Sequence, residues 1–136
     1  MPGVYSSPDL AQLTRRAFDA VDRRDFDTAL ENFAADAVWE SEVLETSFEG
    51  VGEIRTFLER WSLAYDAFEV QEQDISEFGG GVVLCEFVNR GGPDELEPPL
   101  LFALVIVWRD GEIATVIGSE DVAHARAAAE RLAASR

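Results

Sequence analysis

The sequence contains no lysine, so all eleven of its basic residues are arginines. Enzymes that form a Schiff base with their substrate use a lysine amine, and that mechanism is therefore excluded. The 27 acidic residues give a formal net charge of −16. Nucleic acids and anionic membrane surfaces are bound through Lys and Arg, so this charge predicts that the protein binds neither.

Histidine and cysteine occur once each, as His124 and Cys85. A single histidine excludes a cluster of His metal ligands and most Ser-His relays, and we predict no metal site and no cofactor. A lone cysteine forms no disulfide within the chain, which fits a reducing compartment. Cys85 lies among apolar residues and is interpreted as a core residue, whereas His124 is expected on the exposed side of the last helix.

Signal peptides and long hydrophobic runs are also missing. Residues 1–8 have neither a basic segment nor an apolar segment, and no apolar run reaches the roughly 20 residues that a membrane-spanning helix needs. These absences predict a cytoplasmic protein. With 136 residues, of which 47% are hydrophobic, the chain is predicted to form one domain over residues 1–136.

The most apolar stretch runs without interruption from Leu100 to Trp108. Such a run is typical of a strand that is buried on both faces. Asp110-Gly111 tolerates the positive φ angles of a tight hairpin turn, so residues 113–117 are predicted to return as the partner strand. The strand therefore needs a cover on each face.

The remaining elements follow from periodicity and capping residues. We predict helices that begin near Ser7-Pro8-Asp9, at Asp25 and after Gly50-Val51-Gly52, and a last helix over 122–134. Further strands are predicted over 36–41, 67–78 and 82–89, and residues 41–49 are predicted to form an acidic loop. Helices grouped early and strands grouped late predict an α+β fold. We expect a curved antiparallel sheet wrapped over the N-terminal helices, forming a cone with an internal pocket.

The apolar strand also predicts a homodimer that is joined through the convex face of the sheet. The N-terminal helices cover only the concave face, and a large apolar patch is rarely left in water. A two-fold pairing would use the same patch twice. The alternative cover is the last helix, whose apolar side is mostly alanine and offers little area.

Several short motifs resemble the SnoaL-like branch of the nuclear-transport-factor-like superfamily, which includes ketosteroid isomerase and polyketide cyclases. They follow the first helix, enter the first strand and third helix, form the last hairpin and precede the last helix, at residues 24–27, 35–39, 48–55, 108–113 and 120–121. The resemblance implies the cone-shaped fold. It also implies cofactor-free proton transfer or cyclisation on a small hydrophobic molecule.

The resemblance does not extend to the catalytic residues of ketosteroid isomerase. Its base matches Ser41, its oxyanion-hole tyrosine falls near Ala17, and its protonated aspartate falls near Leu104. None of these side chains can take over the corresponding role, so the chain is not predicted to be a ketosteroid isomerase. In the polyketide cyclases an acid–base Asp lies on the last strand, where Ser119 or Glu120 is nearest.

Four aromatic residues are predicted to form the apolar wall of a pocket: Trp39, Trp61, Tyr65 and Phe102. The alternative is that they are simply core residues. Glu86 interrupts an apolar strand and would be an acid–base group if it pointed inward, because burial raises the pKa of a carboxyl. Both faces of that strand are apolar, so the pattern leaves the direction of Glu86 open.

Together these patterns predict a protein that binds a small hydrophobic molecule, and isomerises or cyclises it if it is an enzyme. Glu86 and Glu120 are the predicted acid–base residues, Ser41 is a predicted ligand-binding residue, and Tyr65 or Asn89 is expected to orient the molecule. The alternative is a non-catalytic ligand-binding or dimerisation module of the same fold.

Overall fold

A computed structural model describes residues 9–42, 45–64, 70–89 and 100–135, and the side chains of these except for residues 22, 61–64, 70–73, 87–89 and 100–102. In chain order the elements are α1 (Leu10–Asp22), α2 (Phe26–Ala29), β1 (Phe33–Ser41), β2 (Thr46–Glu49), α3 (Val51–Ala64), β3 (Val70–Gly79), β4 (Val82–Asn89), β5 (Leu100–Arg109), β6 (Glu112–Ser119) and α4 (Val122–Ala134). Within these ranges no helix is both long and apolar enough to cross a membrane.

Carboxylates begin three of the helices. Asp9, Asp25 and Asp121 each accept a hydrogen bond from the backbone N–H three residues later, which satisfies one of the free donors of the first turn. Asp25 therefore caps α2, where a helix start is predicted, while Asp9 caps α1 and Asp121 caps α4. Glu77 of β3 also accepts a hydrogen bond from the N–H of Leu10 at 3.1 Å, which ties the start of α1 to the sheet.

The six strands form one curved, unclosed sheet in the order β2-β1-β6-β5-β4-β3. Four of the five strand pairings are antiparallel, as predicted, and β1 pairs with β6 in parallel. The expectation of a wholly antiparallel sheet is wrong at this pairing. β1 and β6 are far apart in sequence, so no turn motif between them indicates their relative direction.

Side chains of β5 alternate between two separate cores. Leu104, Ile106 and Trp108 pack into the core that contains α1, α2 and α3. Ala103 and Val105 pack into a second core against α4. The prediction that this strand is buried on both faces is confirmed, and the side of the sheet that faces α1, α2 and α3 is called the helix-layer face below.

α4 is the cover of the second face. Its Ala125 and Ala129 are buried against this face, which includes Val82 and Leu84 of β4. The expectation that α4 offers too little to cover this face is wrong, because small alanine side chains let the helix backbone approach the sheet closely. The homodimer stays a prediction. The argument that one face of β5 lacks a cover no longer supports it, because α4 packs on that face.

The predicted acidic loop over residues 41–49 contains a strand. β2 pairs with β1 in antiparallel register, with Phe48 opposite Trp39, so the loop prediction is wrong for residues 46–49. β1 is also longer than predicted, because it begins at Phe33. The other strands and all four helices lie close to their predicted positions.

Two turns depend on glycines with positive φ. Asp110 and Gly111 have φ values of +54° and +81°, which confirms the predicted tight turn between β5 and β6. Gly81 has a similar φ of +83°, but a Cβ there would lie 2.4 Å from the carbonyl oxygen of Trp108. Nothing lies within 4 Å of the corresponding Cβ position at Gly111.

Comparing substitutions at the two glycines therefore distinguishes the cost of backbone strain from the cost of a steric clash. We expect Gly111→Ala to lower the free energy of unfolding by about 1–2 kcal/mol, the cost of a left-handed backbone for an L-residue. Gly81→Ala should cost clearly more, because the strand that carries Trp108 must also move. Urea denaturation of both variants measures this, and equal losses would contradict the close approach at Gly81.

A second pair of variants tests the cover by α4. Ala129 is 0% exposed, whereas Ala127 on the same helix is exposed. We expect Ala129→Glu to lower the free energy of unfolding by about 3–5 kcal/mol, because it buries an unpaired charge. Ala127→Glu should change it by less than about 0.5 kcal/mol. Similar thermal midpoints for the two variants would show that α4 does not pack on the sheet in this register.

Candidate functional site

Three predicted binding residues lie at one end of the sheet. β1, β4 and β6 finish at this end and β5 begins there, because Ser41 pairs with Gly118 and Asn89 pairs with Leu100. Phe102 lies in β5 two residues beyond Leu100. We call this the Ser41 end of the sheet.

An aromatic cluster lies between the helix-layer face and α3 near this end. The ring of Phe57 meets Trp39 edge-on, with centroids 5.6 Å apart and planes at 61°. The same ring stacks on Phe48, with centroids 4.4 Å apart and planes at 17°. Trp39 is 6% exposed, so its predicted burial is confirmed. Its proximity to a pocket stays a prediction.

Phe48 and Phe57 were not predicted as site residues. Phe57 shows helical spacing in the sequence, so the apolar face of α3 was visible. Phe48 falls in the segment that was predicted to be a loop. Phe48 is the single apolar residue of Thr46-Ser47-Phe48-Glu49, so the local sequence holds no clear signal for a strand opposite Trp39.

The indole nitrogens of Trp39 and Trp108 have different surroundings. Trp108 Nε1 donates a hydrogen bond to Oγ1 of Thr14 at 3.1 Å, and Thr14 is 0% exposed. Within the described part of the chain, Trp39 Nε1 is paired with no acceptor. It lies 3.8 Å from the position that a Cβ on Gly118 would occupy, and Leu104 Cδ2 lies 3.3 Å from the same position.

The remaining predicted binding residues are placed less completely. Ser41 is half-buried at the end of β1, two residues after Trp39. Trp61 lies one turn after Phe57 on α3. The side chains of Trp61, Asn89 and Phe102 lie outside the described part of the structure, and so does the whole of Tyr65.

Glu86 lies on the face of the sheet opposite to the aromatic cluster. It follows Leu84 of the α4 core by two residues, and its Oε1 accepts a hydrogen bond from Arg126 Nη2 of α4 at 3.0 Å. The Arg126 guanidinium also lies 5.7 Å from the ring centroid of Phe78. The direction of Glu86, which the sequence left open, is therefore toward α4, and this position is outside a site on the helix-layer face.

Glu120 is exposed and follows β6 directly. Its neighbour Ser119 is buried, and the Ser119 hydroxyl accepts a hydrogen bond from the N–H of Asp121 at 3.1 Å. Ser119 therefore shapes the entry into α4, and Glu120 is the carboxylate that the resemblance to polyketide cyclases leaves near the Ser41 end.

No carboxylic acid and no histidine is buried among the side chains that the structure describes. Their buried polar residues are Thr14 and Ser119, neither of which is a carboxylic acid or a histidine. Ala17 and Leu104, which match two catalytic positions of ketosteroid isomerase, are 5% and 6% exposed. Neither position supplies a hydrogen-bond donor or a carboxyl.

His124 lies on the exposed side of α4, as predicted. Its Nε2 is 3.4 Å from Oε2 of Glu42, which follows β1, so the contact joins the start of α4 to the Ser41 end. Across the described ranges, no group of three or more His, Cys, Asp and Glu residues could hold a metal ion.

Cys85 is 0% exposed and lies in the core of the helix-layer face. Burial raises the pKa of its thiol to about 12, and the charge of Arg15 opposes the shift only partly. A thiol with this pKa stays protonated near neutral pH and is a poor nucleophile. The interpretation of Cys85 as a core residue is confirmed.

The raised pKa of Cys85 predicts a pH dependence of stability. The unfolded thiol loses its proton above about pH 9, while the folded thiol keeps it until about pH 12. The contribution of the protonated thiol to the free energy of unfolding is thus complete below pH 9. Between pH 9 and about pH 12 it declines by about 1.4 kcal/mol per pH unit. Urea denaturation between pH 8 and 11 should show a steeper decline for the wild type than for Cys85→Ala. Parallel declines would contradict a protonated buried thiol.

Comparison with solved structures identifies the class of fold. An NTF2-like (nuclear-transport-factor-like) protein of unknown function from Burkholderia pseudomallei is similar, with a TM-score of 0.72 and 19% identity over 87% of this chain and 95% of that one. A proposed SnoaL-like polyketide cyclase from Shewanella denitrificans has a TM-score of 0.66 and 15% identity over 82% and 90% of the two chains. The fold is therefore NTF2-like.

The family follows from the sequence. A model of the SnoaL-like domain matches residues 14–116, which is most of the chain. The chain therefore belongs to the SnoaL-like domain family, as the resemblance predicted. A proposed polyketide cyclase from Sinorhizobium meliloti is similar to it, with 26% identity, a TM-score of 0.65, and 85% and 100% of the two chains covered. A search among curated proteins found no match.

Proposed function

We propose that this protein binds a small hydrophobic molecule, without a cofactor, on the helix-layer face at the Ser41 end of its sheet. The observation that carries the proposal is the arrangement around Trp39. The ring of Phe57 meets this residue edge-on and itself stacks on Phe48, and the indole N–H of Trp39 lies beside Gly118, which has no side chain.

The walls of this site favour an apolar molecule. Trp39, Phe48, Phe57 and Leu104 present aromatic and aliphatic surface, and Gly118 adds no side chain of its own next to Trp39 Nε1. Each 100 Å² of apolar ligand surface that is buried against such walls contributes about 2.5 kcal/mol before the costs of association.

Charge disfavours an anionic molecule. The net charge of −16 repels anions. Arg55 is paired with Asp27, and Arg126 is paired with Glu86, so these two guanidinium groups are already engaged by carboxylates. These two arginines would therefore offer an anionic ligand little favourable charge pairing.

Isomerisation or cyclisation of the bound molecule is a second candidate function. Glu120 favours it, because this carboxylate directly follows the last strand at the Ser41 end. Glu86 is not assigned the acid–base role, because it faces α4 and is paired with Arg126. A non-catalytic binding module remains the alternative, and an exchange of ligand protons that is lost in Glu120→Gln would favour the enzyme.

The binding proposal is tested with a neutral naphthyl ketone dye whose fluorescence rises in apolar surroundings. We expect saturable binding to the wild type at one molecule per chain. Gly118→Val should abolish it, because the new side chain occupies the space beside Trp39 Nε1 and Leu104. The accompanying loss of unfolding free energy should be about 1–3 kcal/mol, as for other overpacked positions.

Gly52→Val is the matched control, because nothing lies within 4 Å of a Cβ at Gly52 on the exposed start of α3. It should bind the dye like the wild type. Circular dichroism checks that both variants remain folded. Unaltered affinity in folded Gly118→Val, or no saturable binding by the wild type, would refute the proposed site.

A further inference from the structure

We infer that Trp39 determines the specificity of the proposed site by donating its indole N–H to an oxygen acceptor on the bound molecule. The inference rests on the proposed function and adds to it the chemical class of the ligand, a neutral apolar molecule with an oxygen acceptor.

Trp39 is 6% exposed, so its side chain is largely removed from water. Buried polar groups in proteins almost always have a hydrogen-bond partner. Trp108 follows this rule through Thr14, whereas Trp39 Nε1 has no acceptor in the described part of the chain. A bound molecule is the partner that would complete the pattern.

The position of Nε1 fits this role. It lies 3.8 Å from the point where a Cβ on Gly118 would stand, and Gly118 pairs with Ser41 at the end of the parallel strands. The donor thus lies next to a position without a side chain, at the Ser41 end of the sheet.

The chemistry of indole defines the partner. Trp Nε1–H is a donor only, so the ligand atom beside it must be an acceptor such as a carbonyl or ether oxygen. The negative charge of the protein disfavours a carboxylate. Aromatic edges and faces from Trp39, Phe48 and Phe57 favour a flat apolar body attached to that oxygen.

Two probes of similar size test the inference: 2-acetylnaphthalene, which has an acceptor oxygen, and 2-isopropylnaphthalene, which has none. Their dissociation constants are measured by displacement of the dye from the full chain. The ratio of the two constants reports the preference for the acceptor. We expect Trp39→Phe to reduce this preference by between about twofold and tenfold, the range for one hydrogen bond.

Trp108→Phe is the matched control. It removes the same N–H from a tryptophan whose donor is bonded to Thr14. We expect this variant to lose stability and to keep the wild-type preference for the ketone. A general effect of removing a buried tryptophan would alter the preference in both variants, and that outcome would overturn the inference.

The possible failures are distinguishable. If the wild type binds neither probe, the proposed function is wrong and the inference fails with it. If both probes bind and folded Trp39→Phe keeps the wild-type preference, only the inference is wrong. If Trp39→Phe does not fold, the inference is tested on the wild type by the rate of hydrogen exchange at the Trp39 indole N–H, with each probe bound. The ketone should slow this exchange more than the hydrocarbon does, and equal slowing would overturn the inference.

Discussion

Strand β5 has apolar side chains on both faces, and the need to cover it twice determines the layout of the chain. α1, α2 and α3 cover one face, and α4 covers the other. Burial of this kind is the main favourable term in folding, so neither layer can be removed without exposing core residues. Each face consequently has its own core and its own role.

The α4 face is closed by close packing and by the contact of Arg126 with Glu86 and Phe78. On the helix-layer face, the two tryptophans differ in their hydrogen bonding. Trp108 donates a hydrogen bond to Thr14 inside the core. At the Ser41 end, the buried indole N–H of Trp39 lies beside Gly118. This difference between two tryptophans on one face separates a structural contact from a candidate binding group.

Local patterns predicted most of the fold. The Asp caps, the Asp110-Gly111 turn and the helical periods are set by residues close in sequence, and the structure confirms them. β2 was missed because Phe48 is its single apolar residue, which is too little alternation to indicate a strand. The parallel pairing of β1 with β6 joins distant segments, and no local motif encodes it.

The candidate site was less predictable, because strand faces cannot be read from a strand that is apolar on both sides. Glu86 could have pointed either way until the register of β4 and the position of Arg126 were known. The area that α4 covers was underestimated, because alanine contributes through close approach and not through size. Trp39 was found from the sequence, but its contact with Phe57 depends on β2 and α3 being in place.

The central claim is that the helix-layer face binds an apolar molecule at the Ser41 end of the sheet. A crystal structure of the full chain with a bound naphthyl ketone tests it most directly. The ketone is expected between Leu104, Gly118 and the aromatic cluster, with its oxygen within hydrogen-bond distance of Trp39 Nε1. A ketone bound instead between α4 and the sheet, or on the outer surface, would contradict the claim.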